Sequence, residues 1–170
     1  MGSYEIPPES PFASLGDEEI RVWYAFMKVQ LRLRYEMDRQ LRHDSGITLV
    51  DYDVLVALTS ESAGTLTVTD IAIRVGAERS RISHQVQRMA GRGLVGIEPN
   101  EADRRASNVT LTPEGRSLLA EASPKHIDFV RSVFLDALSP SDSTHVAEAF
   151  EKVFELLLRH GTLPRPVDHP

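Results

Sequence analysis

The stretch Arg79–Val95 reads R-S-R-I-S-H-Q-V-Q-R-M-A-G-R-G-L-V. Ile82, Val86, Met89 and Ala90 recur at i, i+4, i+7 and i+8, the spacing of one buried helix face. A helix is expected over about 79–92, ended by Gly93. Only Ala77 and Glu78 separate it from Gly76, which suits the left-handed residue that closes a short helix carrying Ile71, Ala72 and Val75. Thr67 supplies the N-cap of that helix, with Asp70 reaching back from its third position. Two helices joined by a tight glycine-containing turn form the helix-turn-helix pattern.

Working outward, Leu94–Pro99 and Ser107–Leu111 read as two short strands, and Leu66 as one further strand residue. The loop between the two strands carries Asp103, Arg104 and Arg105. Thr112-Pro113 opens a helix, with threonine as N-cap and proline at the first helical position. Apolar positions continue past Pro124 through Ile127, Val130, Val133, Phe134 and Leu138, and Pro124 is expected to kink or break that helix. Ser139-Pro140-Ser141-Asp142 caps a last helix ending near His160. Upstream, a helix is expected from Asp17 to about His43 and a second over about 49–60.

The expected fold is mainly α with a small β-hairpin wing, a winged helix-turn-helix flanked by helices at both ends. Its divisions are a flexible, proline-rich lead-in over 1–16, a first helix over 17–46, a DNA-binding region over 47–112, C-terminal helices over 113–160 and a loose tail over 161–170. The first helix carries two apolar stripes, one through Ile20, Trp23, Met27, Leu31 and Tyr35, the other through Val22, Phe26, Val29, Leu33 and Met37. A helix apolar on two sides needs cover on two sides. Together with Leu156-Leu157-Leu158 in the last helix, this points to a homodimer, the alternative being stripes packed within one chain.

Composition limits the function. The 170 residues contain no cysteine, which excludes disulfides and thiolate metal sites. No apolar run reaches the roughly 18 residues of a bilayer span. The start of the sequence lacks a signal-peptide pattern, so a cytoplasmic, nucleoid-associated protein is expected. Net charge is −6, yet residues 70–110 hold seven arginines against five acids. Arg79, Arg81, Arg88 and Arg92 follow one another with no acid between them. Screening confines charge effects to about 10 Å, so this local excess outweighs the global sign.

The run from Arg79 to Gly115 resembles the MarR family of bacterial transcriptional regulators. R-S-R-I-S-H-Q-V-Q-R-M-A-G-R-G-L-V and D-R-R-A-S-N-V-T-L-T-P-E-G carry the resemblance. The family pattern is a recognition helix ending in Leu-x-x-x-Gly-Leu-Val, a wing with Asp-x-Arg and a strand leading into Leu-Thr-x-x-Gly. Met89 takes the leucine position, and Asp103 and Arg105 match the wing pair. The resemblance implies base or backbone contacts at Ser80, Arg81 and His84, and entry of Arg105 into the minor groove. It also implies a small aromatic or anionic effector, for which Trp23, Tyr24, Tyr35, Arg39, His43 and Tyr52 are candidate lining residues; ordinary core and rim is the competing reading.

Chemistry adds roles for the remaining residues. With Ile82, Val86 and Met89 inward, the outward face is read as Arg81, His84, Gln85 and Arg88, with Arg79 and Ser80 at the helix start. Arginine can grip guanine, and glutamine adenine, through two hydrogen bonds each. Ser80 and Ser83 suit phosphate oxygens, as does Arg104 in the wing. Asp103 is expected to hold the wing arginine, or another arginine, in position, since phosphates repel a carboxylate. The competing readings are a merely solvated basic face, a winged-helix protein-interaction module, and a metal-responsive regulator using Glu36, His43 and His126. No cofactor is implied, no paired histidines support a metal, and no catalytic motif suggests an enzyme.

Overall fold

Four of the helices start where a serine or threonine hydroxyl accepts a backbone N–H three residues ahead. Thr48 takes that of Asp51 at 3.0 Å, Thr67 that of Asp70 at 3.1 Å, Thr112 that of Gly115 at 3.0 Å and Ser139 that of Asp142 at 3.2 Å. The computed structural model describes residues 7–166, so the first six residues of the expected lead-in and the last four of the expected tail lie outside the described residues. The described chain divides between Glu36 and Met37 into two compact units.

In the first unit, the expected flexible lead-in contains a short 3-10 turn, Pro11–Ser14, capped by the hydroxyl of Ser10. Helix α1 spans Asp17–Ser45 and crosses the boundary between the units. Asp17, Glu18 and Glu19 occupy its first turn, where the helix dipole favours negative charge. Up to Tyr35, Val22, Trp23, Tyr24, Phe26, Val29, Leu31 and Tyr35 remain exposed.

The second unit holds the end of α1, then α2 (Leu49–Thr59), β1 (Thr65–Thr67), α3 (Val68–Val75), α4 (Arg79–Gly91), β2 (Val95–Pro99), β3 (Ser107–Leu111), α5 (Pro113–Val133) and α6 (Pro140–His160). The wing is more than a hairpin. β1 adds to β3 on the side away from β2, giving an antiparallel sheet in the order β1-β3-β2. Leu66 and Ile97 both pair with Val109, which is fully buried. Leu55, Leu58, Ile71, Ile82, Val86 and Met89 complete the core beneath the sheet. Leu41, Ile47, Leu49 and Ala122 form a smaller core between the end of α1, α2 and α5.

The α3–α4 turn follows the sequence expectation. Gly76 adopts φ 65°, ψ 43°, its N–H donates to the carbonyl of Ile73, and Ala77 N–H donates to that of Ala72. This pair of bonds closes a helix only with a left-handed residue at that point. Asp70 departs slightly from expectation: its carboxylate accepts from the Thr67 hydroxyl at 2.7 Å rather than from the backbone.

Pro124 does not break α5, which runs through it from Pro113 to Val133. Proline at 124 removes the donor for the Ala120 carbonyl, but both residues are exposed and water can serve that oxygen. The neighbouring Ser123 hydroxyl adds a bond to the Leu119 carbonyl at 2.7 Å. Phe134 and Leu138, expected within the helix, fall instead on a 3-10 turn, Leu135–Ala137, and its flanks. α6 buries none of its residues; Phe150, Val153, Phe154, Leu156 and Leu157 are all exposed. Beyond it, Arg165 grips Glu155 with Nη2 at 2.7 and 2.8 Å, so the described part of the tail is tied to α6.

Candidate nucleic-acid interface

Burial along α4 follows i, i+3, i+4, i+7: Ile82, Gln85, Val86 and Met89 face the core. Gln85 is therefore misplaced by the sequence reading. It is only 6% exposed and belongs to the buried stripe, so it cannot read a base edge. Its amide Nε2 donates to Oδ1 of Asp51, which is 1% exposed, and its Oε1 accepts from Nη2 of Arg88. The exposed glutamine is Gln87, three residues beyond His84 on the same ridge, which the sequence reading missed.

The exposed face of α4 thus comprises Arg79, Ser80, Arg81, Ser83, His84, Gln87 and Arg88. Glu78 precedes the helix without a side-chain cap bond, leaving first-turn N–H groups facing outward. Such groups, with the positive end of the helix dipole, favour an anion. Among the described residues, the side chains of Arg81, Arg104 and Arg105 have no hydrogen bond or ion pair. Two other arginines of the basic region serve the fold. Arg74, nearly buried, pairs with Glu61 at 3.0 Å and with the Ala57 carbonyl at 3.0 Å. Arg92 pairs with Asp51 at 3.2 Å and with the Gly46 carbonyl at 3.0 Å.

The wing tip is shaped by polar side chains. Asn100 Oδ1 accepts the N–H groups of Ala102 and Asp103, both at 2.9 Å, and its Nδ2 donates to Asn108 Oδ1 at 2.8 Å. Asp103 does position Arg105, but through the backbone: Oδ1 accepts the Arg105 N–H at 2.9 Å, and the guanidinium is left free. This bond stabilises the turn. Arg79 Nη2 reaches the Arg105 carbonyl at 3.5 Å, joining the start of α4 to the wing. Asn100 and Asn108 went unnoticed in the sequence; an asparagine opening a polar loop was the available signal.

The base of the wing is equally constrained. The Thr112 hydroxyl lies 2.7 Å from the Gly93 carbonyl, tying the start of α5 to the end of α4. Gly115 packs so closely that a Cβ there would lie 2.1 Å from the Leu94 carbonyl oxygen. The Thr-x-x-Gly sequence is thus a packing requirement of this junction.

The candidate effector residues are less coherent. Trp23, Tyr24 and Tyr35 are exposed in the first unit, with Lys28 Nζ 4.9 Å from the centre of the Tyr24 ring. In the second unit Arg39 is exposed, and His43 is exposed and pairs with Asp44 at 2.7 Å. Tyr52 is half-buried: its hydroxyl meets Ser123 at 3.3 Å and its ring lies 4.5 Å from that of His126. His126 is buried, contacts Gln40 Oε1 through Nδ1 at 2.8 Å, and burial pushes its pKa down. Among the described residues, no group of three or more histidines or carboxylates could hold a metal ion. Among the described residues, no helix is long and apolar enough to cross a membrane.

Comparison with known proteins agrees with this geometry. A model of the MarR family matches residues 45–106, the segment from the end of α1 to the wing. A solved structure of Sco3205, a MarR family transcriptional regulator from Streptomyces coelicolor in complex with DNA, is 34% identical with a TM-score of 0.82, covering 88% of this chain and 97% of its own. AbsC, a MarR family regulator from the same organism, is 32% identical with a TM-score of 0.78, covering 84% and 96%. The HTH-type transcriptional regulator YfiV of Bacillus subtilis is 30% identical over 136 residues, 79% of this chain and 81% of its own. The sheet-backed helix-turn-helix and these relatives lead to one conclusion: the chain belongs to the MarR family of DNA-binding transcriptional regulators, which are not enzymes.

Proposed function

We propose that this regulator binds a pseudo-palindromic operator as a homodimer, with α4 in the major groove and the wing arginine in the minor groove. The observation that carries this reading is the set of arginines without an ion pair among the described residues, on the exposed face of α4 and at the wing tip, linked by the Arg79–Arg105 contact. Arg81, His84 and Gln87 have the chemistry to read base edges; Ser80, Ser83 and Arg104 suit phosphates. Arg105 matches the negative potential of a narrow A·T minor groove. The Streptomyces coelicolor relative solved with DNA supports the same use of the fold.

The exposed apolar side chains of α6, and separately those of α1 up to Tyr35, support dimerisation. Clustered exposed apolar side chains commonly mark interaction surfaces. A two-fold dimer would set its recognition helices about 34 Å apart, matching inverted half-sites. Bound across a promoter, such a dimer excludes polymerase and represses. Of the candidate effector residues, Tyr52 lies nearest a polar cluster, with Ser123, His126 and Gln40, that a small aromatic anion could perturb.

The test is selection of duplexes from a random library by the purified protein, followed by titration at several salt concentrations. An inverted repeat and an affinity falling steeply with salt are expected. Recovery of no common sequence, or a monomer by light scattering at micromolar concentration, overturns the proposal.

A further inference from the structure

We infer that Gln85 is a positioning residue: from the core side of α4 it sets the guanidinium of Arg88 for DNA, using the buried carboxylate of Asp51 as its anchor. The inference rests on the proposed operator binding and names a residue that cannot itself reach DNA.

Asp51 is held from several sides. Its Oδ2 accepts the Thr48 N–H at 2.9 Å and Arg92 Nη1 at 3.2 Å. Its Oδ1 accepts the Gln85 amide. Arg92 is fixed in turn by the Gly46 carbonyl at 3.0 Å. A carboxylate so placed cannot move without leaving a buried charge unpaired, which is strongly disfavoured.

The anchored carboxylate decides the orientation of the Gln85 amide. Only the NH2 end can face an acceptor, so Nε2 must turn to Asp51 and Oε1 must turn away. Oε1 then meets Arg88 Nη2. Reversing the amide would set oxygen against carboxylate and NH2 against guanidinium, so both neighbours impose the same orientation. Arg88 uses one of its donors here, and its others remain for a base or phosphate.

Arg81 on the same face has no such support among the described residues. The two arginines therefore approach DNA differently, Arg81 from many rotamers and Arg88 from few. Immobilising a long side chain in advance spares a binding cost equivalent to about two- to ten-fold in affinity.

A double-mutant cycle on the duplex recovered by selection tests this, read by fluorescence anisotropy. Gln85→Leu is expected to weaken binding about two- to ten-fold in the wild-type background and in Arg81→Ala. In Arg88→Ala it should have no effect, because the group it positions is gone. An equal loss in the Arg88→Ala background overturns the inference and marks Gln85 as a support of the fold alone. If Gln85→Leu fails to fold, nitrogen-15 relaxation of the arginine Nε groups in the wild-type protein decides. Arg88 should be ordered and Arg81 mobile; equal mobility overturns the inference. If the wild-type protein selects no duplex, the operator proposal fails and takes this one with it.

Discussion

Arg79 and Arg105 meet, guanidinium Nη2 to backbone carbonyl, at 3.5 Å across the gap between the first turn of α4 and the wing. The two ends of the cationic surface are thus joined by one of its own cations. Arg105→Ala keeps the backbone carbonyl and removes only the free guanidinium. It is expected to lower duplex affinity by about 1 kcal/mol or more while leaving the melting temperature unchanged. Anisotropy titration beside a thermal melt checks both halves; unchanged affinity rules out a groove contact by this side chain.

Asn100 organises the wing through three hydrogen bonds, two accepted and one donated. Asn100→Ala should weaken DNA binding although the residue carries no charge. Hydrogen exchange at the Ala102 and Asp103 amides should speed up in the variant. Preserved protection of those amides would show that the turn does not depend on this side chain.

Arg81 is exposed on α4 near its N-terminal end, the part of a recognition helix that enters the major groove. Arg81→Ala is expected to cost about 1–3 kcal/mol on the selected operator and to relax the preference at one base position. Equal losses on operator and random duplex would mean that Arg81 contacts phosphate only.

Gly115 has no room for a side chain, since a Cβ would lie 2.1 Å from the Leu94 oxygen and 2.9 Å from Leu111 Cδ1. Gly115→Ala must displace backbone and should destabilise by about 3 kcal/mol or more. Urea denaturation measures this. A loss under about 0.5 kcal/mol would mean the junction opens freely.

His126 titrates below the ordinary histidine value because burial disfavours its charged form. As pH falls through about 6.5, the unfolded chain takes up this proton before the folded chain does. His126 therefore leaves stability intact above that pH and lowers it progressively below, towards the folded-state pKa. The melting temperature should drop between pH 7.5 and pH 5.5, and His126→Gln should shrink that drop. Equal drops in wild type and variant would assign the acid sensitivity to other groups.

The helix-turn-helix was legible because its signals are local. Gly76, Thr67 and the stripe of Ile82, Val86 and Met89 each act within a few residues. Gln85 departs from the expected outward face because a polar side chain can be buried when it finds polar partners. Its place three residues after Ile82 and four before Met89 marked it as buried, but its partner Asp51 lies 34 positions away. Pro124 does not break its helix although a local rule disfavours proline inside one, because Ala120, whose carbonyl loses its donor, is exposed to solvent. β1 pairs Thr65 with Thr110, a contact 45 residues apart that short-range patterning cannot reveal.

Among the described residues, positive φ values occur only at Gly46, Gly64, Gly76 and Gly93. The wing tip has none; side chains at 100 and 103 bend it. Residues 101, 102 and 104 consequently need no left-handed backbone, and other L-amino acids fit there, proline at 102 excepted because the Ala102 N–H donates to Asn100 Oδ1. The loop is a replaceable cassette: new charges or new hydrogen-bonding groups can be tried there against new promoters while the scaffold that presents them stays intact.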